Sequence, residues 1–181
     1  ASIFYIKQRK IEFKNTFIDI INDVDFNTER TKWQLKFAFV TTSAIMIGEF
    51  LHIPRTMWIG IACMSVFHPD KSQLQIRYKQ RMLYMVLGCL MYMSIYFLIP
   101  QQFRGLIGLI GGVMIGFSGT YKWQTVFNAF GALSAATPIL GFGGAIIFRI
   151  LNNVFGALYS KGFDYIINFI DNKEFANVNE A

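Results

Sequence analysis

Arg81 to Leu90 reads RMLYMVLGCL, and Arg149 to Leu158 reads RILNNVFGAL. The two stretches agree at arginine, leucine, valine, glycine and leucine, and they lie 68 residues apart. The same offset brings Met46-Ile47-Gly48 onto Met114-Ile115-Gly116, and an offset of 69 brings Ser65 and Pro69 onto Ser134 and Pro138. Matches in one order point to a duplicated unit. Each unit holds three hydrophobic spans, an odd number, so the second copy enters a bilayer from the opposite side and the pair forms an inverted repeat. The competing explanation is chance, because membrane segments draw on few residue types.

Composition supports the membrane setting. The chain has 181 residues, of which 54% are hydrophobic and 15% charged, with a mean hydropathy of +0.38. That is too apolar for an ordinary soluble domain of this length. The hydrophobic spans run over 35–51, 57–67, 82–99, 103–117, 123–140 and 145–170. The expected fold is all-α: a polytopic membrane protein with six transmembrane helices arranged as a 3+3 inverted repeat. A crossing takes about 20 apolar residues, so the second span is short, and the fifth, its repeat counterpart, carries Gly131 and ends near Pro138. Short or broken helices at matching positions point to a substrate path; local thinning of the bilayer around Arg55 and His68 is the alternative.

Ahead of the spans, residues 1–32 set Ile3, Phe4, Ile6, Phe13 and Phe17 against Lys7, Lys10, Lys14, Asp19 and Asp23 at helical spacing. This predicts a cytoplasmic amphipathic helix. The membrane domain then covers 33–170 and a polar tail 171–181. No secretory signal pattern is evident, and the opening at Ala1 without methionine leads us to expect a processed protein or a piece of a longer one.

Basic residues set the expected orientation. They crowd the amino-terminal segment and the connection holding Lys71, Arg77, Lys79 and Arg81, whereas the other side has only Arg55 and Arg104. Both termini are therefore expected in the cytoplasm of a multi-pass cell-membrane protein, with an even number of crossings. The net charge of +6 follows the spans rather than one soluble face, which argues against nucleic acid as a partner.

No enzyme motif is present: no nucleophile elbow, no phosphate loop, no cluster of metal ligands. We accordingly expect no catalytic residue, metal or cofactor. Cys63 and Cys89 sit in apolar runs as packing residues, and His52 and His68 flank the second span as polar anchors. Arg81 and Arg149 stand out, because an arginine within an apolar helix costs at least ~2.5 kcal/mol at the bilayer centre. Arg149 shares one helical face with Asn152 and Asn153, at i+3 and i+4, and that face could hold a carboxylate. A positive-inside anchor is the alternative for Arg81, and an anchor or structural ion pair for Arg149. Glu49, near the outer end of the first span, is the candidate ion-pair partner or proton carrier.

The run His52-Ile53-Pro54-Arg55-Thr56-Met57-Trp58, continuing to Val66 and Pro69, followed by Arg77, Arg81 and Gly88, resembles the fusaric acid resistance and aromatic acid exporter superfamily. Plant aluminium-activated malate channels are distant relatives of that group. The resemblance spans roughly residues 30–165. It implies a six-helix membrane domain, commonly dimeric, that exports or conducts organic anions. It maps Trp58, Arg81 and Gly88 onto family positions, and the internal repeat extends the pair to Arg149 and Gly156. The expected substrate-binding residues are thus Trp58, Arg81, Arg149, Asn152 and Asn153. The expected partners are a small organic anion, the lipid bilayer and a second copy or larger assembly. A different class of role is a non-transporting membrane anchor or scaffold subunit of an envelope complex. A large soluble domain is missing from the chain, a departure that bears on whether it transports alone.

Overall fold

The computed structural model describes residues 28–179 and is helical throughout, with no strand among the described residues. Helix α1 covers Glu29–Phe50, α2 Met57–Val66, α3 Lys71–Leu98, α4 Leu106–Phe117 and α5 Tyr121–Asn179. A short 3-10 turn, Gln101–Phe103, links α3 to α4. The amphipathic helix expected over 1–32 lies, up to residue 27, outside the described residues. Contact clustering divides the chain into two units, 1–36 and 37–181. The second unit holds α1 from Phe37 onward and all of α2 to α5.

Each hydrophobic span coincides with helix. Two helical stretches, Lys71–Leu98 and Tyr121–Ile167, are long and apolar enough to cross a membrane. Helices α2 and α4, with 10 and 12 residues, fall short of the ~20 that a full crossing takes. The fifth and sixth spans are not separated by a connection over 141–144. They form one helical run interrupted at Gly141 alone, where φ is 71° and ψ 165°. That backbone region is open essentially only to glycine. Pro138, three residues earlier, is carried inside the helix.

The bend lets α5 serve as the hub, since α2, α3 and α4 all pack against it. Its first arm, 121–140, lies against α3 and α4. A Cβ at Gly88 of α3 would stand 2.7 Å from the Val126 carbonyl oxygen, and one at Gly108 of α4 would stand 2.9 Å from the Ser134 side chain. The second arm, from 142 onward, lies against α2, where a Cβ at Gly156 would meet the Ile59 carbonyl oxygen and Ala62. Hydroxyls tie the same pairs of helices. Thr137 Oγ1 and Tyr92 Oη lie 3.2 Å apart, and Ser160 Oγ donates to the Cys63 carbonyl at 3.2 Å. The core between these elements includes Trp58, Met85, Cys89, Tyr92, Val126, Phe130 and Leu133, all buried. Outward faces carry large apolar side chains such as Phe97 and Leu98, 68% and 82% exposed, which suits a lipid-facing surface.

Candidate anion-binding centre

Arg81 enters the bundle one-third of the way along α3, and Arg149 follows the Gly141 break by eight residues on α5. Both are sealed from solvent, at 3% and 1% exposure. Long cationic side chains near helix ends normally snorkel to water, so two enclosed ones demand specific partners. Asn153 supplies part of the answer. Its Oδ1 accepts from Arg81 Nε at 3.0 Å, and its Nδ2 donates to the Arg149 backbone carbonyl at 2.7 Å. One amide thus fixes α3 against α5 at the level of both arginines.

Arg149 lies over the indole of Trp58, with the guanidinium carbon 5.0 Å from the ring centroid. Trp58 is itself 7% exposed at the start of α2. The aromatic face offers electrostatic attraction without using up any N–H. Arg149 Nε and Nη1, and Arg81 Nη2, are buried without a hydrogen-bond partner. Tyr121 adjoins Arg81, and its hydroxyl donates to Ser65 Oγ at 3.2 Å. The two guanidiniums are near enough to feel each other's charge. Among the described residues no carboxylate forms a salt bridge with either.

The remaining candidates divide. Asn152, buried beside Asn153, turns its amide away from the arginines and donates to the carbonyls of Pro54 and Arg55 at 2.8 and 3.1 Å. It thereby holds the connection between α1 and α2, in which His52 and Arg55 take left-handed backbone conformations with φ of 51° and 61°. Such conformations are uncommon for residues other than glycine and need outside support. Glu49 accepts a hydrogen bond from Thr56 Oγ1 in that same connection. The structure therefore brings together Arg81, Arg149, Asn153 and Trp58, while Asn152 and Glu49 bond to the connection between α1 and α2. Sequence reasoning missed Tyr121 and Ser65, because a polar residue at a helix end, the start of α5 or the close of α2, gives no sign of a contact with an element 40 or more residues away.

A centre with two positive charges, at least three N–H donors without a partner and, among the described residues, no counter-ion can take an anion. No group of three or more metal-binding side chains occurs among the described residues. Comparison with known proteins places this geometry in context. The sequence model of the fusaric acid resistance protein-like family matches residues 43–160, which holds α2 to α4, part of α1 and both arginines. No curated protein and no solved structure matches the chain.

Proposed function

Because the chain belongs to the fusaric acid resistance protein-like family, a group of membrane transporter-like proteins, we propose that it moves small organic anions across a cell membrane through the Arg81–Arg149 centre. The carrying observation is the pair of enclosed guanidiniums with unpartnered N–H groups and, among the described residues, no carboxylate paired with them. An uncompensated buried charge is strongly unfavourable, whereas a bound carboxylate both neutralises it and satisfies the donors. Planar, two-pronged arginine suits that ligand better than lysine. Aromatic acids are the substrate class we favour, since Trp58 offers a face next to the charge.

The proposed arrangement is a 3+3 inverted repeat with both termini in the cytoplasm. Reciprocal packing supports it: Gly88 in the third helix of one half lies on the second helix of the other, and Gly156 repeats this with the halves exchanged. The centre is closed in this conformation, so transport entails an opening on each side in turn. A dimer is the proposed assembly.

Efflux of a radiolabelled aromatic acid from proteoliposomes tests this reading. Arg149→Ala is expected to slow efflux by about 30-fold or more, from the ~2–5 kcal/mol attached to one partner of a buried charged contact. Arg149→Lys should retain more activity, and Arg81→Ala should fall between, because Arg81 already gives its Nε to Asn153. Wild-type rates in folded Arg149→Ala would sink the proposal.

A further inference from the structure

Farther along the bundle lies a second cationic cleft, of about 300 Å³, between the end of α3, the turn after it and the end of the first arm of α5. Tyr92, Tyr96, Gln101, Arg104, Ser134 and Thr137 line it. By helical rise, Tyr92 stands about 16 Å along α3 from Arg81, so the cleft is separate from the arginine centre.

Arg104 is held in place by aromatic groups. Its guanidinium carbon lies 4.2 Å from the centroid of the Tyr96 ring, whose other contacts include Phe142 at 4.6 Å. Stacking fixes the plane of the guanidinium yet leaves its edge free, and Arg104 Nε is shielded from solvent without a hydrogen-bond partner. Ser134 Oγ is shielded and unpartnered in the same way. The other hydroxyls are accounted for: Thr137 Oγ1 donates to the Leu133 carbonyl at 2.7 Å, so the Tyr92 hydroxyl donates to Thr137. Two free donors therefore line the cleft, one of them charged, and its lining contains no carboxylate. Buried donors left unsatisfied are costly, and each marks a missing acceptor.

We propose that this cleft is a second binding site, for a small organic monoanion whose charged group meets Arg104 Nε and Ser134 Oγ and whose apolar body rests against Tyr92 and Tyr96. A single fixed cation favours one negative charge, and a volume near the lower end of the range for ligand pockets favours a small molecule. The assignment stands on the cleft's own groups and does not depend on what Arg81 and Arg149 bind.

Benzoate serves as the probe, with the full chain in nanodiscs of phosphatidylcholine. A cysteine replacing Gln101, which is exposed on the cleft rim, is labelled with a methanethiosulfonate reagent, while buried Cys63 and Cys89 stay silent. Benzoate should slow labelling of Gln101→Cys, and sodium sulfate at equal ionic strength should not. Adding Arg104→Gln or, separately, Ser134→Ala should raise the benzoate concentration needed about tenfold, the effect of losing one hydrogen bond to a charged group. Adding Arg149→Ala should leave it unchanged. Broadening of the fluorine signal of 4-fluorobenzoate, reduced in the Ser134→Ala chain at the same ligand concentration, checks the same site without a label. No protection by benzoate, or equal protection in both cleft variants, overturns the proposal. So does slowing by phosphatidylglycerol in the disc but not by benzoate, which would make the ligand a lipid headgroup.

Discussion

Gly88 and Gly156 occupy equivalent places in two similar stretches, and each lets a long helix touch the backbone of a partner helix from the other half of the chain. The arginines that precede them by seven residues behave differently. Arg81 is tethered to Asn153, while Arg149 rests on Trp58 with two nitrogens free. The glycines set a common framework, and the side chains around the arginines give the two halves unequal chemistry. Two similar stretches of sequence thus need not yield two equivalent binding groups, and Arg149 is the better candidate for a ligand contact.

The two stretches also differ in how the helical segment that carries each is joined to the one before it. Between α2 and α3 the chain leaves helix over 67–70 and restarts on Asp70, whose side chain accepts from the Ser72 N–H at 2.8 Å and from the Ser72 hydroxyl at 3.0 Å. In the other half the only departure is Gly141. One junction is a capped loop and the other a single glycine.

The comparison breaks most readily at the glycine contacts. Alanine at Gly156 places its Cβ on the Ile59 carbonyl oxygen and near Ala62, closer than alanine at Gly88 comes to the Val126 carbonyl. Overpacking of this kind costs about 1–3 kcal/mol. Melting of each variant in mild detergent should show both destabilised, Gly156→Ala more so. Equal, wild-type melting would mean that the reciprocal contacts do not hold the halves together.

The junctions should respond more weakly. Gly141→Ala forces a side chain into a positive-φ position, at about 1–2 kcal/mol, and should lower the melting temperature less than Gly156→Ala does. A Gly141→Ala chain as stable as wild type would show that the bend can be made elsewhere, with Pro138 the nearest place. Smallest of all is the effect at Asp70. Ser72, through its hydroxyl and backbone N–H, holds the exposed Asp70 carboxyl below its ordinary range. A depressed folded value means the cap stabilises α3 above the ordinary carboxylate range and loses that contribution as pH falls through the folded value. Asp70→Asn should flatten this part of the acid limb in a pH series of melting curves. An unchanged acid limb would count against the cap.

The sequence made the helical class legible through run length alone, and the arginine-to-glycine pattern named the residues at the centre. Helix ends agreed where an apolar run stops, as after Val66 and before Pro100, whereas α3 begins at Lys71, eleven residues ahead of the expected span. The bend in α5 was less legible. Pro138 is the usual helix breaker, yet it is absorbed into the helix and the chain turns at Gly141. The centre's inner wiring was hidden as well, because Arg81 and Asn153 are 72 residues apart and only the packing of α3 on α5 brings them within bonding distance. Asn152 and Asn153 are neighbours on one helix, but the 100° between successive residues sends one amide to the arginines and the other to the Pro54 carbonyl. Arg104 counted in the sequence only as a basic charge on the outer side. Its ring stack with Tyr96 depends on how the turn after α3 folds back.

The break at Gly141 has a mechanical consequence. On either side of it the backbone is helical, interrupted in its hydrogen bonding only where Pro138 lacks an N–H, so the helix forms two arms sharing one pivot. Arg149 lies about 12 Å from that pivot by helical rise, and a swing of about ten degrees there would sweep its Cα by about 2 Å. Such a displacement exceeds the tolerance of a hydrogen bond. The same pivot adjoins Phe142, which stacks on Tyr96 and through it reaches Arg104. One torsional change at residue 141 would therefore move the arginine centre and the aromatic stack of the second cleft together.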